Sequence, residues 1–332
     1  MSDAALVSTE KMRKIAKLAW GVLAWNLAVI VWGAFVRASG SGAGCGRHWP
    51  LCNGEVVPHS PGTATMIEAA HRATSGLALI AVVWLLVAAR RALPKGHRVR
   101  KSAGWSTVFV LTEALVGAGL VLFELVAHDA SMKRGLSMTI HLCNTFFLLA
   151  ALALTAWWAT VPLLSPVTVE ETRKPLLLRG VITVALGSVL VLGASGAIAA
   201  LGDTLFPALS LREGIAQDLS PLSHVFLKLR MLHPVIALGS GIVVLGAAGL
   251  VRGLSGNPHA RLLSRGLTLL FVTQFGAGIL NITLLAPIPM QLVHLLLADA
   301  TWIVLVLMAS EARTQHAAVP AALPSTPDVA AA

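Results

Sequence analysis

The chain has 332 residues, of which 56% are hydrophobic and only 12% charged, with a mean hydropathy of +0.79. A soluble domain carries roughly a quarter charged residues, so lipid rather than water is the main solvent, and a soluble globular protein is excluded. The formal charge of +10 does not indicate nucleic acid, because the basic residues form no face but gather in alternate loops.

Crossing a bilayer takes ~20 consecutive apolar residues. In chain order the sequence predicts eight spans, near 18–37, 66–89, 104–127, 137–160, 177–201, 226–251, 263–286 and 290–310. The basic leader (Lys11, Arg13, Lys14, Lys17) and the 2–3 loop (Arg90, Arg91, Lys95, Arg98, Arg100, Lys101) lie on one side. Arg173, Lys174, Arg179, Arg252, Arg261, Arg265 and Arg313 join them there, making 17 of the 25 basic residues. Arg37, Arg47, Arg72, Lys133, Arg134, Arg212, Lys228 and Arg230 are left on the other side. The positive-inside rule then predicts a multi-pass protein with both termini cytoplasmic, or matrix-facing if the chain is mitochondrial. The first span is too long for a signal-peptide core. The Ala/Pro-rich tail from about His316 is expected to be disordered.

The spans repeat. Val29–Ala34 recurs as Val189–Ala194 at an offset of 160, and Gly117-Ala-Gly-Leu120 as Gly276-Ala-Gly-Ile279 at 159. His71 corresponds to His233 at 162, and His141 to His294 at 153. Ordered matches at similar offsets mark an internal duplication. Four spans per unit give both copies the same orientation, related by an axis along the membrane normal. The expected fold is an all-α membrane protein of two tandem four-helix bundles, residues 1–165 and 166–332.

His71, His141, His233 and His294 all fall near the outer end of an even-numbered span. A neutral imidazole at that depth costs free energy unless it is bonded or ligated, and ionisable groups in spans usually mark function. One such histidine is readily explained by an interhelical hydrogen bond; four in matching positions are not. A structural zinc site needs further Cys or His ligands, and copper favours Met and Cys; neither set is near. A haem iron takes two axial imidazoles, in a flat slot lined by small residues. Ser75, Gly76 and Ala78 follow His71, and Ala237, Ser240 and Gly241 follow His233, while the Gly-Ala-Gly stretches offer a wall. Two haem pockets, one per half, are expected. Arg72, Lys228 and Arg230 stand at the outer ends, suited either to propionates or to interfacial snorkelling. The other seven histidines (His48, His59, His97, His128, His224, His259 and His316) are assigned to solvated loops or tails, with a reservation for His48 between the loop cysteines.

The halves also differ. Glu68 sits one helical turn before His71, where Arg230 precedes His233. A partly buried carboxylate there suits proton transfer, although pairing with Arg72 at a helix N-terminus explains it too. Cys45 and Cys52 lie in a Gly/Pro-rich outer loop where oxidation is permitted, as a structural staple or as a redox pair. Cys143 lies inside a span, out of their reach. Glu113 and Asp299 are further carboxylates in spans, suited to proton relay or to helix packing, and Gln274 lies near the position in the seventh span that corresponds to Glu113.

These motifs resemble the haem A synthase family. The likeness is carried by the loop Gly40-Ser-Gly-Ala-Gly-Cys45-Gly-Arg-His-Trp-Pro-Leu-Cys52-Asn-Gly54, by Glu68-x-x-His71-Arg72 and by the four helix-borne histidines. The resemblance implies a membrane enzyme of cytochrome oxidase assembly that oxidises a methyl group of haem O to the formyl group of haem A. It implies a resident haem b on His233 and His294, substrate haem near His71 and His141, and catalysis by Glu68. Its implied partners are the haem O synthase and the assembly factors that receive haem A. A homo-oligomer is compatible with it. Some relatives carry a second cysteine pair in the 5–6 loop, and this chain has none, so no role of that pair applies. The competing reading is a diheme b-type cytochrome carrying electrons from quinol, which leaves the one-sided acid unexplained. A parallel-repeat transporter would place its polar residues at the midplane rather than near the outer face.

Overall fold

The computed structural model describes residues 3–164, 169–170, 176–312 and 315–316. Within them the chain forms ten α-helices: α1 (Asp3–Ala38), α2 (Thr63–Ala92), α3 (Arg98–Leu122), α4 (Met132–Leu164), α5 (Leu176–Leu205), α6 (Leu211–Leu219), α7 (Val225–Arg230), α8 (Leu232–Leu254), α9 (Pro258–Thr283) and α10 (Ile288–Glu311). Eight segments among the described residues are long and apolar enough to cross a membrane: Thr9–Ala38, Thr63–Ala92, Arg98–Leu122, Met132–Val161, Leu177–Leu205, Val225–Leu254, Pro258–Thr283 and Ile288–Glu311. The protein is a multi-pass, all-α membrane protein. Outside the helices, Val169–Glu170 pairs antiparallel with Gln315–His316. The tail beyond His316 lies outside the described residues, as do Arg173, Lys174 and Arg313.

Several spans begin earlier than the sequence expectation, as at Thr9 in the first and Arg98 in the third, and two end earlier. The third span stops at Leu122 and the seventh at Thr283, because the chain then turns through positive φ at Glu124 and Ala127 and at Leu285 and Ala286. The sixth span is not one continuous helix. Pro234 lacks an N–H, so it belongs in a first turn, where that group has no intrahelical partner. The helix accordingly restarts at Leu232, leaving α7 as a separate six-residue piece. The short α6 was not anticipated; Ser210 caps it by accepting the N–H of Glu213.

α4 and α10 run through the centre. α4 packs on α1 and α3 within the first four spans and on α5 and α10 of the second four. Trp302 donates its indole N–H to the Phe146 carbonyl at 2.6 Å and stacks on the Phe146 ring at 5.2 Å. At the other end Trp157 and Trp158 donate to Glu311 and Ser310. Leu148, Leu149, Leu152, Leu305 and Met308 fill the space between. Indole N–H groups at this depth need partners, and these fix the register of α4 against α10. The outward faces stay apolar, as at Trp84, Ile242 and Leu269, which suits contact with lipid.

Candidate functional site

One cavity of about 1050 Å³ runs between the spans and is lined by all four span histidines. It exceeds the usual 300–1,000 Å³ of a small-molecule site. The two expected pockets, one per half, both open on this cavity: His71 and His141 of residues 1–165 and His233 and His294 of residues 166–332 line it. His71 and His141 lie close enough to feel each other's charge, and so do His233 and His294.

Each imidazole rests on a glycine of the preceding span. Cβ atoms added at Gly33, Gly196 and Gly278 would come within 2.9, 3.2 and 3.1 Å of His71, His233 and His294, and one at Gly117 within 4.0 Å of His141. These contacts set the correspondence between the halves: Gly33 with Gly196, and Gly117 with Gly278. The sequence repeat had paired Gly33 with Gly193, which packs instead against Phe146 and Leu142, and had aligned Gly117 with Gly276. Gly/Ala patterns in helices slip easily by a few residues; the histidine contacts do not. Ser75, Gly76, Ala78 and Ala237 line the cavity as expected. Ser240 and Gly241 do not: Ser240 donates to the Ser188 carbonyl and Gly241 packs on Phe271.

The imidazole surroundings differ. Ser195 Oγ lies 2.9 Å from Nδ1 of His233. The Glu113 carboxylate lies 3.3 Å from Nδ1 of His141, and the Gln274 amide nitrogen 3.3 Å from Nε2 of His294. Nδ1 of His71 and of His294 is buried without a hydrogen bond among the described residues, while Nδ1 of His141 has only the Glu113 carboxylate, off the line of a hydrogen bond. Such orphaned ring nitrogens are costly at this depth unless a ligand uses the ring. Among the described residues, no cluster of three or more His, Cys, Asp or Glu is arranged around a bare metal ion. Two imidazoles per centre fit a group that brings its own equatorial ligands.

Glu68 is 3% exposed and lines the cavity. Its Oε2 accepts the Cys45 N–H at 2.8 Å, and its Oε1 accepts Arg72 Nε at 3.2 Å and Nη2 at 2.5 Å. Arg72 also donates to the carbonyls of His48 and Leu51. Cys45 and Cys52 are disulfide-bonded. Gly44 is obligatory here, since a Cβ would lie 2.5 Å from the Ala64 carbonyl. Thr65 fastens the same point through its hydroxyl to the Gly44 carbonyl. The loop is thus clamped over the start of α2, and its Gly42, Trp49 and Pro50 form part of the cavity wall.

The two arginines expected to meet propionates are already engaged. Arg72 is held by Glu68 and the loop, and Arg230 bridges Asp203 at 2.8 Å and Asp218 at 2.6 Å. Polar partners so far away in sequence leave no local signature. Arg37 was counted only as an outer-side charge, yet it reaches from α1 across to the Ala200 carbonyl and Thr204 on α5 and to Gln291 on α10. Three of the seven histidines assigned to solvent have structural work. His97 and His224 cap α3 and α7, His224 also stacking on Phe206. His259 lies in α9, edge-on to Trp157 and near Glu311. Asp299 is fully buried in α10, off the cavity lining.

Residues 16–306 match the family model described as cytochrome oxidase assembly protein. The chain belongs to the haem A synthase family. A Thermus thermophilus protein named protoheme IX farnesyltransferase is 48% identical over 312 residues, which is 92% of this chain and 50% of that protein. Heme A synthase of Staphylococcus carnosus is 38% identical over 127 residues, 38% of this chain and 40% of its own. Heme A synthase of Staphylococcus saprophyticus is 35% identical over 133 residues, 40% of this chain and 43% of its own. The chain spans about half the length, or less, of these curated relatives.

Proposed function

We propose that this protein is a haem A synthase: an oxidoreductase that converts one methyl group of haem O into the formyl group of haem A, the added oxygen coming from water or dioxygen and the electrons and protons removed passing to an external oxidant. The observation that carries this reading is an asymmetry. Four histidines share one cavity; one turn before His71 stands Glu68, tied to a disulfide-bearing loop, whereas Arg230 holds the matching place before His233 and binds the Asp203 and Asp218 carboxylates at that end. A diheme electron carrier has no use for that one-sided acid.

The residues suit haem. Imidazoles seated on glycine leave room for a flat ring, and each pair can supply two axial nitrogens. We assign His233 and His294, in residues 166–332, to a resident haem b, and His71 and His141 to the substrate. When bound, haem b supplies one-electron chemistry. Ser195 holds the His233 ring by Nδ1, which leaves Nε2 for ligation. Glu68 uses part of its acceptor capacity on Cys45 and Arg72; a carboxylate offers about four lone-pair sites, so it can still take up a proton from the reacting carbon's side. The clamped loop walls that end of the cavity with Gly42, Trp49 and Pro50.

A place in haem modification is supported by the Thermus relative named protoheme IX farnesyltransferase, half of which this chain covers. The partners are accordingly a haem O synthase and the assembly factors that accept haem A. The basic-residue distribution supports a cell-membrane protein with both termini cytoplasmic and the disulfide loop outside.

Expression in a bacterium deleted for its own haem A synthase tests the reading. Haem A and cytochrome oxidase activity should return. Accumulation of haem O alone, with normal levels of the protein in the membrane, would overturn it.

A further inference from the structure

Four spans place a polar or glycine residue against an iron-ligand candidate, and one of these arrangements is built more heavily than the others. His141, Asn144 and Thr145 stand at i, i+3 and i+4 on α4, so all three face α3. There they surround Glu113. Thr145 donates its hydroxyl to Oε1, and Asn144 donates its amide to Oε2 at 2.5 Å. Asn144 is itself fixed, donating to the Phe109 carbonyl at 2.9 Å and accepting from Thr112 at 2.6 Å. His141 brings Nδ1 to 3.3 Å from Oε1. One turn along α3, Gly117 supplies the seat for the ring.

The other end of the cavity has the same frame with different chemistry. Gln274 stands four residues before Gly278 on α9, as Glu113 does before Gly117 on α3, and both pairs are 161 residues apart. The positions i+3 and i+4 from His294 are Leu297 and Ala298. Neither can donate a hydrogen bond, so a carboxylate on α9 would be stranded at a depth where an unpaired charge is costly. A neutral amide is what that frame tolerates, and Gln274 occupies it.

We propose that Glu113 is a positioning residue for His141. Its carboxylate fixes the ring with Nδ1–H towards α3 and Nε2 towards the cavity, and makes the imidazole a stronger electron donor than His294. The two centres are thereby set apart, the substrate end being the more electron-rich. This rests on the assignment of haem to His71 and His141. A carboxylate behind a metal-bound imidazole fixes its tautomer and raises its basicity, and losing such a partner typically costs about 10–100-fold in affinity or activity.

The test uses full-length protein in which His233→Ala and His294→Ala leave only the substrate-end centre, titrated with haem O. A parent protein that binds no haem O refutes the underlying assignment, independently of Glu113. Given binding, Glu113→Gln should weaken it about 10–100-fold and raise the midpoint potential, and Glu113→Asp should recover part of both. In otherwise unaltered protein, Gln274→Glu combined with Leu297→Asn and Ala298→Thr, which supply the donors that Glu113 has in Asn144 and Thr145, should lower the potential of the resident centre; this arm stands even where Glu113→Gln fails to accumulate. Unchanged affinity and potential in Glu113→Gln, or an unchanged potential in that triple variant, would overturn the proposal.

Discussion

If His233 and His294 hold haem b as proposed, replacing either by alanine is expected to abolish its low-spin, bis-histidine spectrum. Both axial positions are needed for the low-spin state, so one missing imidazole leaves high-spin or absent haem. The fold should survive, because the rings touch chiefly glycine, Ser195 and Gln274, and the central contact of α4 with α10 lies elsewhere. Reduced-minus-oxidised optical spectra and electron paramagnetic resonance of the purified variants give the measurement. An unchanged spectrum in both variants would remove haem from that end of the cavity.

Glu68→Gln is expected to reduce haem A formation by about two to four orders of magnitude, the usual worth of a general acid or base, while haem b remains bound. Glu68 also anchors the loop through Cys45 and Arg72, so a lost clamp must be told apart from a lost proton acceptor. Arg72→Gln provides the comparison: it breaks the same ion pair and frees the His48 and Leu51 carbonyls, but keeps the carboxylate. If Glu68 moves a proton, Glu68→Gln falls far below Arg72→Gln, with haem O or a hydroxylated intermediate accumulating. Equal activities, measured as haem A per unit of protein, would reduce Glu68 to a clamp. Arg230→Gln should not reproduce the Glu68 pattern. It should lower protein yield instead, since it leaves Asp203 and Asp218 without their shared cation.

Hydropathy made the eight spans legible, and charge asymmetry made their orientation a definite expectation, because the bilayer constrains length and composition directly. The four histidines, Glu68 and the cysteine loop stood out for the same reason: polar groups at span ends need explaining. What stayed hidden depends on partners far apart in sequence. Arg37 reads as one more outer charge until α5 and α10 close around it. Arg230 reads as a free cation until Asp203 and Asp218 meet it. Glu113 and Gln274 were visible as polar residues in spans, but the donors at Asn144 and Thr145 gain meaning only once α3 lies against α4. The repeat register slipped because Gly and Ala recur at helical spacing throughout. Pro234, next to His233, was the readable sign that the sixth span restarts there.

The most direct test of the central claim is mass analysis of the haem extracted from the purified, full-length protein produced alongside a haem O synthase. Haem b is expected together with haem O, haem A or the hydroxylated species between them. Haem b alone, in an amount that fills both pairs of histidines, would contradict that claim and make the protein an electron-carrying cytochrome.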